Sequence, residues 1–450
     1  MYIQKVKIRN VRGFKDFELV FPDNNPLAGW HVVIGDNGSG KTSLLRCVAL
    51  ALVGPNDVAA LRQGMQDWVT VGTKENSSIQ LDLFRDKDFD PFSGQGRVDE
   101  KDPVPRVNVR FQDVNQIEGP DFSRKKEMEV GISENQTLYN APQIRLVKGA
   151  NTKADRTVWG VKGGWFSVSY GPFRRFTGDQ TKDLLFVTNP KLGAHLSLFD
   201  ENIGLSASIK WLQDLKFKTY ENVDGPEKKL LQDFIAFINQ DNFLPHGTRL
   251  LNITSDGVEF EDGNKSKLLL PNLSDGYRSI LSLIFELIRQ VASTYNTNAV
   301  FQKSDGAIVV NFPGVVMIDE PDAHLHPTWQ HRIGFWLLKH FPKMQFIVTT
   351  HSPLLCHAAV KGSVWKMPRP GSGDKFEQIK DEDLNRLLYG DVLDAYGTNL
   401  FGKGVVRSNL AEEKLKRLAE LNVVALERDL TEAERKERIA LRAILPTSSI

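Results

Sequence analysis

Gly35-Asp36-Asn37-Gly38-Ser39-Gly40-Lys41-Thr42-Ser43 is a complete G-x-x-x-x-G-K-[ST] loop, and its reading decides the fold. The apolar run His31 to Ile34 before it predicts a strand. Ser43 to Val53 after it predicts a helix with Leu44, Leu45, Val48 and Leu52 on one side. The glycines let the backbone fold tightly around a phosphate, and free N–H groups at the helix start make an anion site. Lys41 is expected to reach the β- and γ-phosphates and the Thr42 hydroxyl to bind Mg²⁺, with Asn37, Gly38, Gly40 and Ser43 completing the cradle. An ordinary glycine-rich turn would leave Lys41 and Thr42 unexplained.

The rest of the chain gives this loop a globular setting. At 450 residues, with 41% apolar and 25% charged residues, one to three domains and a large core are expected. A formal net charge of +1 argues neither for nor against nucleic acid as a partner, although a local basic face remains open. Cys47 and Cys356 are the only cysteines, which points to no disulfide framework and no cysteine-based zinc site. Met1 to Lys5 begins a strand pattern rather than a signal peptide, and no apolar stretch approaches membrane-spanning length, so a cytoplasmic location is expected.

Upstream of the loop, Ile3, Val6, Ile8 and Val11 form one strand and Phe17 to Phe21 a second, with Arg12-Gly13-Phe14 between them. Arg12 either approaches the nucleotide from outside or is a solvent-facing turn arginine. Downstream, Ile79 to Phe84 alternates as a strand, Arg85 to Pro105 reads as a polar surface insertion, and Val107, Val109 and Phe111 resume a strand. A polar stretch follows to about residue 160, broken by a strand signal at 144–147. Trp165 to Phe176 reads as a strand entering a turn that carries Arg174 and Arg175, either a phosphate contact or a surface ion pair. Residues 209–217 and 228–238 have helical periodicity, and strands at 250–253 and 257–260 make a hairpin after them.

The second half carries matching chemistry. Leu273-Ser274-Asp275-Gly276-Tyr277-Arg278 precedes a strong helix from Ser279 to Val291, placing a hydroxyl and free N–H groups where they can hold an anion. Val315 to Glu320 is an apolar strand ending in two carboxylates. Asp319 would complete the Mg²⁺ shell with Thr42, and Glu320 would polarise the attacking water. Pro321 to Pro327 turns into a helix near Thr328, and the strand Phe346 to Thr350 ends at His351, placed to contact the γ-phosphate or the water. His324, His326 and His331 are explained by the turn-and-helix junction rather than by a metal cluster.

Together these motifs resemble the ATP-binding-cassette ATPases of the chromosome-maintenance, RecF and overcoming-lysogeny type, over most of residues 1–360. The resemblance implies an α/β ATPase head with a mixed sheet core, antiparallel N-terminal strands, a helical arm insertion and a C-terminal helical tail. The corresponding segments are 1–200, 201–270, 271–370 and 371–450. It also implies ATP and Mg²⁺ as ligands and a homodimer or higher homo-oligomer with composite ATP sites. Ser274 and Gly276 would then serve the γ-phosphate bound to the opposite head, and Asp322 would lie in the loop crossing between the sites. The glutamine loop of the family has no firm counterpart, Gln112 being one candidate.

The Leu-Ser-Asp-Gly-Tyr-Arg signature resembles stand-alone bacterial ATPases of anti-phage and retron-linked systems. Overall size and signature resemble the ATPase subunit of Septu-type defence systems, implying a separate effector such as an HNH nuclease. DNA or RNA is a further possible partner. Alternatives are a RecF-like repair or clamping ATPase and a mainly structural ATP-locked assembly. Asp381-Glu382-Asp383 has the spacing of a Toprim nuclease motif but runs straight into a helical pattern at 384–388, so no intrinsic nuclease is expected. Val392 to Gly397 follows that helix. Residues 411–429 and a segment capped by Thr431-Glu432-Ala433-Glu434 read as a helical hairpin suited to docking.

Overall fold

The computed structural model describes residues 1–22, 27–61, 64–72, 76–93, 105–113, 144–149, 153–161, 163–176, 190–240, 243–391, 395–396, 400–401 and 408–445. The expected polar stretch at 114–143, and Val392-Leu393-Asp394 with Gly397, lie outside these residues.

Strands β1 (Tyr2–Val11) and β2 (Phe14–Val20) form the N-terminal antiparallel pair, and β3 (Gly29–Ile34) leads into the loop. β1 continues through β4 (Ser77–Phe84), β5 (Arg106–Asp113) and β6 (Ile144–Lys148) into one antiparallel sheet of order β2-β1-β4-β5-β6. The alternation seen in the sequence sets which face is covered. Ile79, Leu81 and Leu83 of β4 and Val107 and Val109 of β5 are fully buried in one core with Leu44, Leu45, Val48 and Leu52 of α1 (Lys41–Val53).

The second sheet has the order β16-β15-β3-β14-β13-β7, built from β7 (Ser167–Tyr170), β13 (Gly314–Asp319), β14 (Met344–Thr350), β15 (Gly362–Lys366) and β16 (Glu377–Gln378). All but β16 run parallel. Every residue of β3, β13 and β14 is buried, as their near-continuous apolar runs require when both faces are covered. A buried side chain also bonds one sheet to the other. Buried Gln345 of β14 accepts from Ile3 N–H at 2.7 Å and donates to the Ile3 carbonyl at 2.9 Å, acting as an extra rung beside β1.

Helix α2 (Pro190–Phe199) packs on β7 and α1. The expected arm is formed by α3 (Ala207–Glu221) and α4 (Pro226–Asn239), followed by β8 (Arg249–Thr254), β9 (Gly257–Glu261) and the third strand β10 (Lys267–Leu269). It is anchored through fully buried phenylalanines. Phe234 packs edge-on to Phe285 of α5 (Asp275–Thr294) at 5.0 Å. Phe237 meets Trp336 of α6 (Pro327–His340) at 5.4 Å. A small hairpin of β11 (Gln302–Ser304) and β12 (Ala307–Val309) links α5 to β13.

Residues 381–450 form a separate compact unit. It contains α7 (Asp381–Tyr389), α8 (Asn409–Glu427) and α9 (Glu432–Ile444). α8 and α9 make the expected hairpin around Leu418, Leu421, Leu441 and Leu445, with Arg417 paired to Glu437 across it. The Thr431–Glu434 capping box is present in full. Asp381, Glu382 and Asp383 occupy the first turn of α7, a helical rather than strand-end setting.

Candidate nucleotide site

Parallel register gathers the site. Ile34 lies beside Thr350 and Thr349 beside Asp319, so the carboxyl ends of β3, β14 and β13 deliver the loop, His351 and the Asp319–Glu320 pair to one edge of the sheet. This is where open α/β sheets bind ligands.

The loop residues Gly38 and Gly40 have φ of 77° and 97°, a backbone that favours glycine. A Cβ on Gly40 would also stand 3.2 Å from the Phe14 ring, which closes the cradle from the Arg12-Gly13-Phe14 side. Lys41 Nζ donates to the carbonyls of Gly35 at 2.8 Å and Asp36 at 3.2 Å, and lies 2.8 Å from His351 Nε2. Burial pulls the Lys41 ammonium below its ordinary pKa, opposed by the charges of Glu320, Asp319, Asp36 and Asp322. Burial, and then the Lys41 charge, lower that of His351 as well. A neutral imidazole with its proton on Nδ1 accepts from Lys41 at Nε2. Glu320 Oε1 stands 3.6 Å from the same nitrogen.

Asp319 is 1% exposed and both of its carboxylate oxygens are used. Thr42 Oγ1 donates to Oδ2 at 2.7 Å, and Thr349 Oγ1 donates to Oδ1. A carboxylate and a hydroxyl in contact at the sheet edge are hard oxygen donors that fit Mg²⁺. Ser39 Oγ, buried and without a hydrogen-bond partner in the loop, fits a phosphate acceptor.

Glu320 stands just past β13 with φ of 47°, uncommon for a residue with a side chain. Its N–H donates to the Thr349 carbonyl at 3.0 Å. Arg174 holds it from the other side, donating to the carbonyls of Asp319 (2.9 Å), Glu320 (3.0 Å) and Gly171 (2.8 Å). Both sequence readings of Arg174, as phosphate contact or surface ion pair, are therefore corrected. It is buried, and β7 lies directly beside β13, so its guanidinium meets the carbonyls at the end of β13. Burial lowers its pKa to about 10, leaving it protonated at neutral pH. Arg175 is exposed and rests over the Phe173 ring.

Two further residues escaped sequence reading. Thr350 Oγ1 donates to Asp322 at 2.6 Å, fixing the turn after Glu320. Gln330 of α6 donates to the Leu325 carbonyl at 2.9 Å and accepts from Ser352 Oγ at 2.8 Å, tying that turn to the residue after His351. Arg12 is half-buried with its guanidinium 4.3 Å above the Trp68 ring, and its N–H is bound to the Trp68 carbonyl. Gln112 lies on β5 in the antiparallel sheet, paired with Arg145, whereas the strand beside β13 is β7. The glutamine-loop candidate is therefore not at the edge where Asp319 sits.

Ser274 is exposed at the N-cap of α5 with no side-chain capping bond. Gly276 packs so closely on the turn after Glu320 that a Cβ would stand 2.9 Å from the His324 carbonyl.

A glycine-rich loop at the carboxyl edge of a parallel sheet is the arrangement of a P-loop nucleotide-binding α/β fold. Sequence comparison agrees. A family model described as "AAA domain" matches residues 5–155, and one described as "AAA domain, putative AbiEii toxin, Type IV TA system" matches 182–357. The chain is 23% identical over 365 residues to Septu protein PtuA of Bacillus mycoides (strain KBAB4), a match covering 81% of this chain and 40% of that protein. It is 34% identical over 173 residues to the Retron Ec83 probable ATPase of Escherichia coli, covering 38% of this chain and 29% of the relative. A third relative, the Retron Vc95 probable ATPase of Vibrio cholerae serotype O1 biovar El Tor, is 21% identical over 435 residues, covering 89% and 77%. The resemblance to Septu and retron ATPases drawn from the signature is thus borne out. The match spans less than half the length of the first two relatives. Among the described residues, no helix is long and apolar enough to cross a membrane.

Proposed function

We propose that the chain is a Mg²⁺-dependent ATP-binding and hydrolysing switch subunit of a bacterial anti-phage defence complex, acting on a separate nuclease or toxin effector. The defence role is supported by the Septu and retron relatives. The ATPase reading is carried by one observation. Lys41 touches His351, Thr42 touches Asp319, and Glu320 stands 3.6 Å from His351, all at the carboxyl edge of the parallel sheet.

In this reading water attacks the γ-phosphorus of ATP and the bond to the bridging oxygen breaks, giving ADP and phosphate. Glu320 accepts a hydrogen bond from the water and orients it. Lys41 balances phosphate charge, and His351 senses the γ-phosphate as a neutral hydrogen-bonding group. Mg²⁺, held by Thr42 and Asp319, would withdraw electron density from the phosphates. Arg174 fixes the backbone that aims Glu320. Asn37, Gly38, Gly40 and Ser43 offer backbone and hydroxyl donors to the phosphates, with Arg12 at the rim.

Ser274 and Gly276 are assigned to the ATP of a second copy, making the nucleotide part of a homodimer or higher assembly. The exposed Ser274 hydroxyl, with no cap bond of its own, supports that assignment. Exchange of Glu320→Gln keeps the shape and removes the charge. ATP binding is expected to persist, with hydrolysis reduced on the order of 100-fold and accumulation of an ATP-bound oligomer by size exclusion. Wild-type turnover in this variant would refute the assignment of Glu320.

A further inference from the structure

A second chain segment lies against the phosphate loop. Lys366, the last residue of β15, stands beside Ile34, the last of β3, and the N–H of Met367 donates to the Ile34 carbonyl at 2.8 Å. The chain that follows β15 therefore leaves the sheet at its carboxyl edge, next to Gly35. It stays close to the loop. Met367 is buried, and a Cβ on Gly35 would stand 2.8 Å from its Cβ. A Cβ on Gly38 would meet Pro370 Cγ at 3.8 Å. Arg369 Nε lies 3.8 Å from Asp36 Oδ2 in the loop and 3.9 Å from Asp374 Oδ2 in its own turn.

The turn is held from within and at both ends. The Arg369 carbonyl accepts from the Ser372 N–H at 3.1 Å and from the Ser372 hydroxyl at 2.9 Å, and Gly371 supplies a φ of 74°. Just beyond it, Phe376 lies flat on Trp365 of β15, with ring centroids 5.3 Å apart, and meets Phe17 of β2 at 4.5 Å. Buried Met367 anchors the near end and these ring contacts the far one.

Strand order gives the turn its place in the site. β3 has β14 on one side and β15 on the other. His351, Asp319 and Glu320, assigned above to the γ-phosphate end, all lie on the side of β14 and β13. A nucleotide whose phosphates follow the loop to that end carries its nucleoside towards the opposite side, where the turn after β15 stands. The chemistry of Arg369 suits a base better than a phosphate. Two carboxylates stand against its Nε, and their charge repels a further anion. A guanidinium also stacks its flat face on aromatic rings. The Arg369 side chain is 36% exposed, which leaves part of it open to a ligand.

We propose that the Arg369–Pro370 turn is the nucleobase platform of the site, with the Arg369 guanidinium stacked on the adenine ring. This rests on the nucleotide site assigned above and adds to it the residue that holds the base. Isothermal titration calorimetry with ADP, and with tripolyphosphate as a ligand that has no base, tests it, each in the presence of Mg²⁺. The readout is the ratio of the two affinities, in which a general loss of positive charge cancels. Arg369→Ala should lower that ratio about fivefold, as expected for loss of one exposed cation–π contact. Arg369→Lys returns the charge without the plane, so tripolyphosphate binding should recover while the ratio stays low. Circular dichroism should show both variants folded, since the side chain lies on a partly exposed turn. A ratio unchanged in Arg369→Ala overturns the platform, because Arg369 would then serve the phosphates or only the shape of the turn. Full recovery of the ratio in Arg369→Lys overturns it too, since charge alone would suffice. Binding of neither ligand by the wild-type chain refutes the nucleotide reading and the platform with it, whereas the two preceding outcomes refute the platform alone.

Discussion

The two turns proposed to hold phosphate, Gly35 to Thr42 and Leu273 to Gly276, are built on opposite plans. The first is enclosed. Lys41, Asp319 and His351 lie at or beyond the carboxyl ends of three neighbouring strands, and each has a partner within the chain. The second is open: Ser274 is exposed with no side-chain cap bond, while Gly276 closely approaches the His324 carbonyl. The difference teaches where each turn draws its geometry. The enclosed turn is set by buried polar contacts in its own sheet, so it is preorganised and sensitive to any change in those contacts. The open turn sits on a helix end that a partner can approach.

The strongest way to break the enclosed plan is acid. His31 on β3 is buried against Ser363 and the Leu27 carbonyl, and burial lowers its pKa from 6.5 to about 4. His195 on α2 lies beside Ser167 and Ser169 of β7, and burial lowers it to about 3. For both, the unfolded chain takes up the proton before the folded one. Their effect is absent above pH 6.5, and stability falls as pH drops from there towards the folded values. For His31 alone the gap corresponds to a loss of about 3 kcal/mol. Urea titrations at pH 7 and pH 4 should show this loss, and His31→Gln should flatten the pH dependence.

Next in size is Arg174→Ala. It strips donors from three carbonyls and frees Glu320 from its left-handed backbone, at a cost of roughly 1–3 kcal/mol. A fall in kcat of about 10- to 100-fold with little change in ATP affinity would mark it as a positioning residue. Loss of stability with normal kcat in the folded fraction would reduce it to a structural clamp. The smallest effect sharpens the open side. Ser274→Ala should leave stability and ATP binding at low protein concentration unchanged. It should reduce hydrolysis about tenfold where turnover rises with protein concentration, in line with one lost hydrogen bond to a charged group. A concentration-independent loss would place Ser274 in its own chain's site.

What could be read from the residues was what is local. The loop, the apolar strand before Asp319 and the capping box at Thr431 carry their meaning within a few positions, and each formed as expected. Arg174 could not be read this way. Its role depends on β7 lying next to β13, a strand order that leaves no trace in Trp165 to Phe176 itself. Gln330 is similar, since an amide on a helix face gives no hint that two turns meet beneath it. Gln112, which its neighbouring residues left unassigned, lies in the antiparallel sheet.

The Gln345 rung has a consequence for how the chain is made. Its amide completes both backbone bonds of Ile3, yet the two residues are 342 positions apart. At synthesis rates of about 5–20 residues per second, Ile3 waits on the order of tens of seconds before its partner exists. Until then the Ile3 backbone lacks this partner, although β2 and β4 already flank β1. Joining of the two sheets at Ile3 is thus tied to late translation.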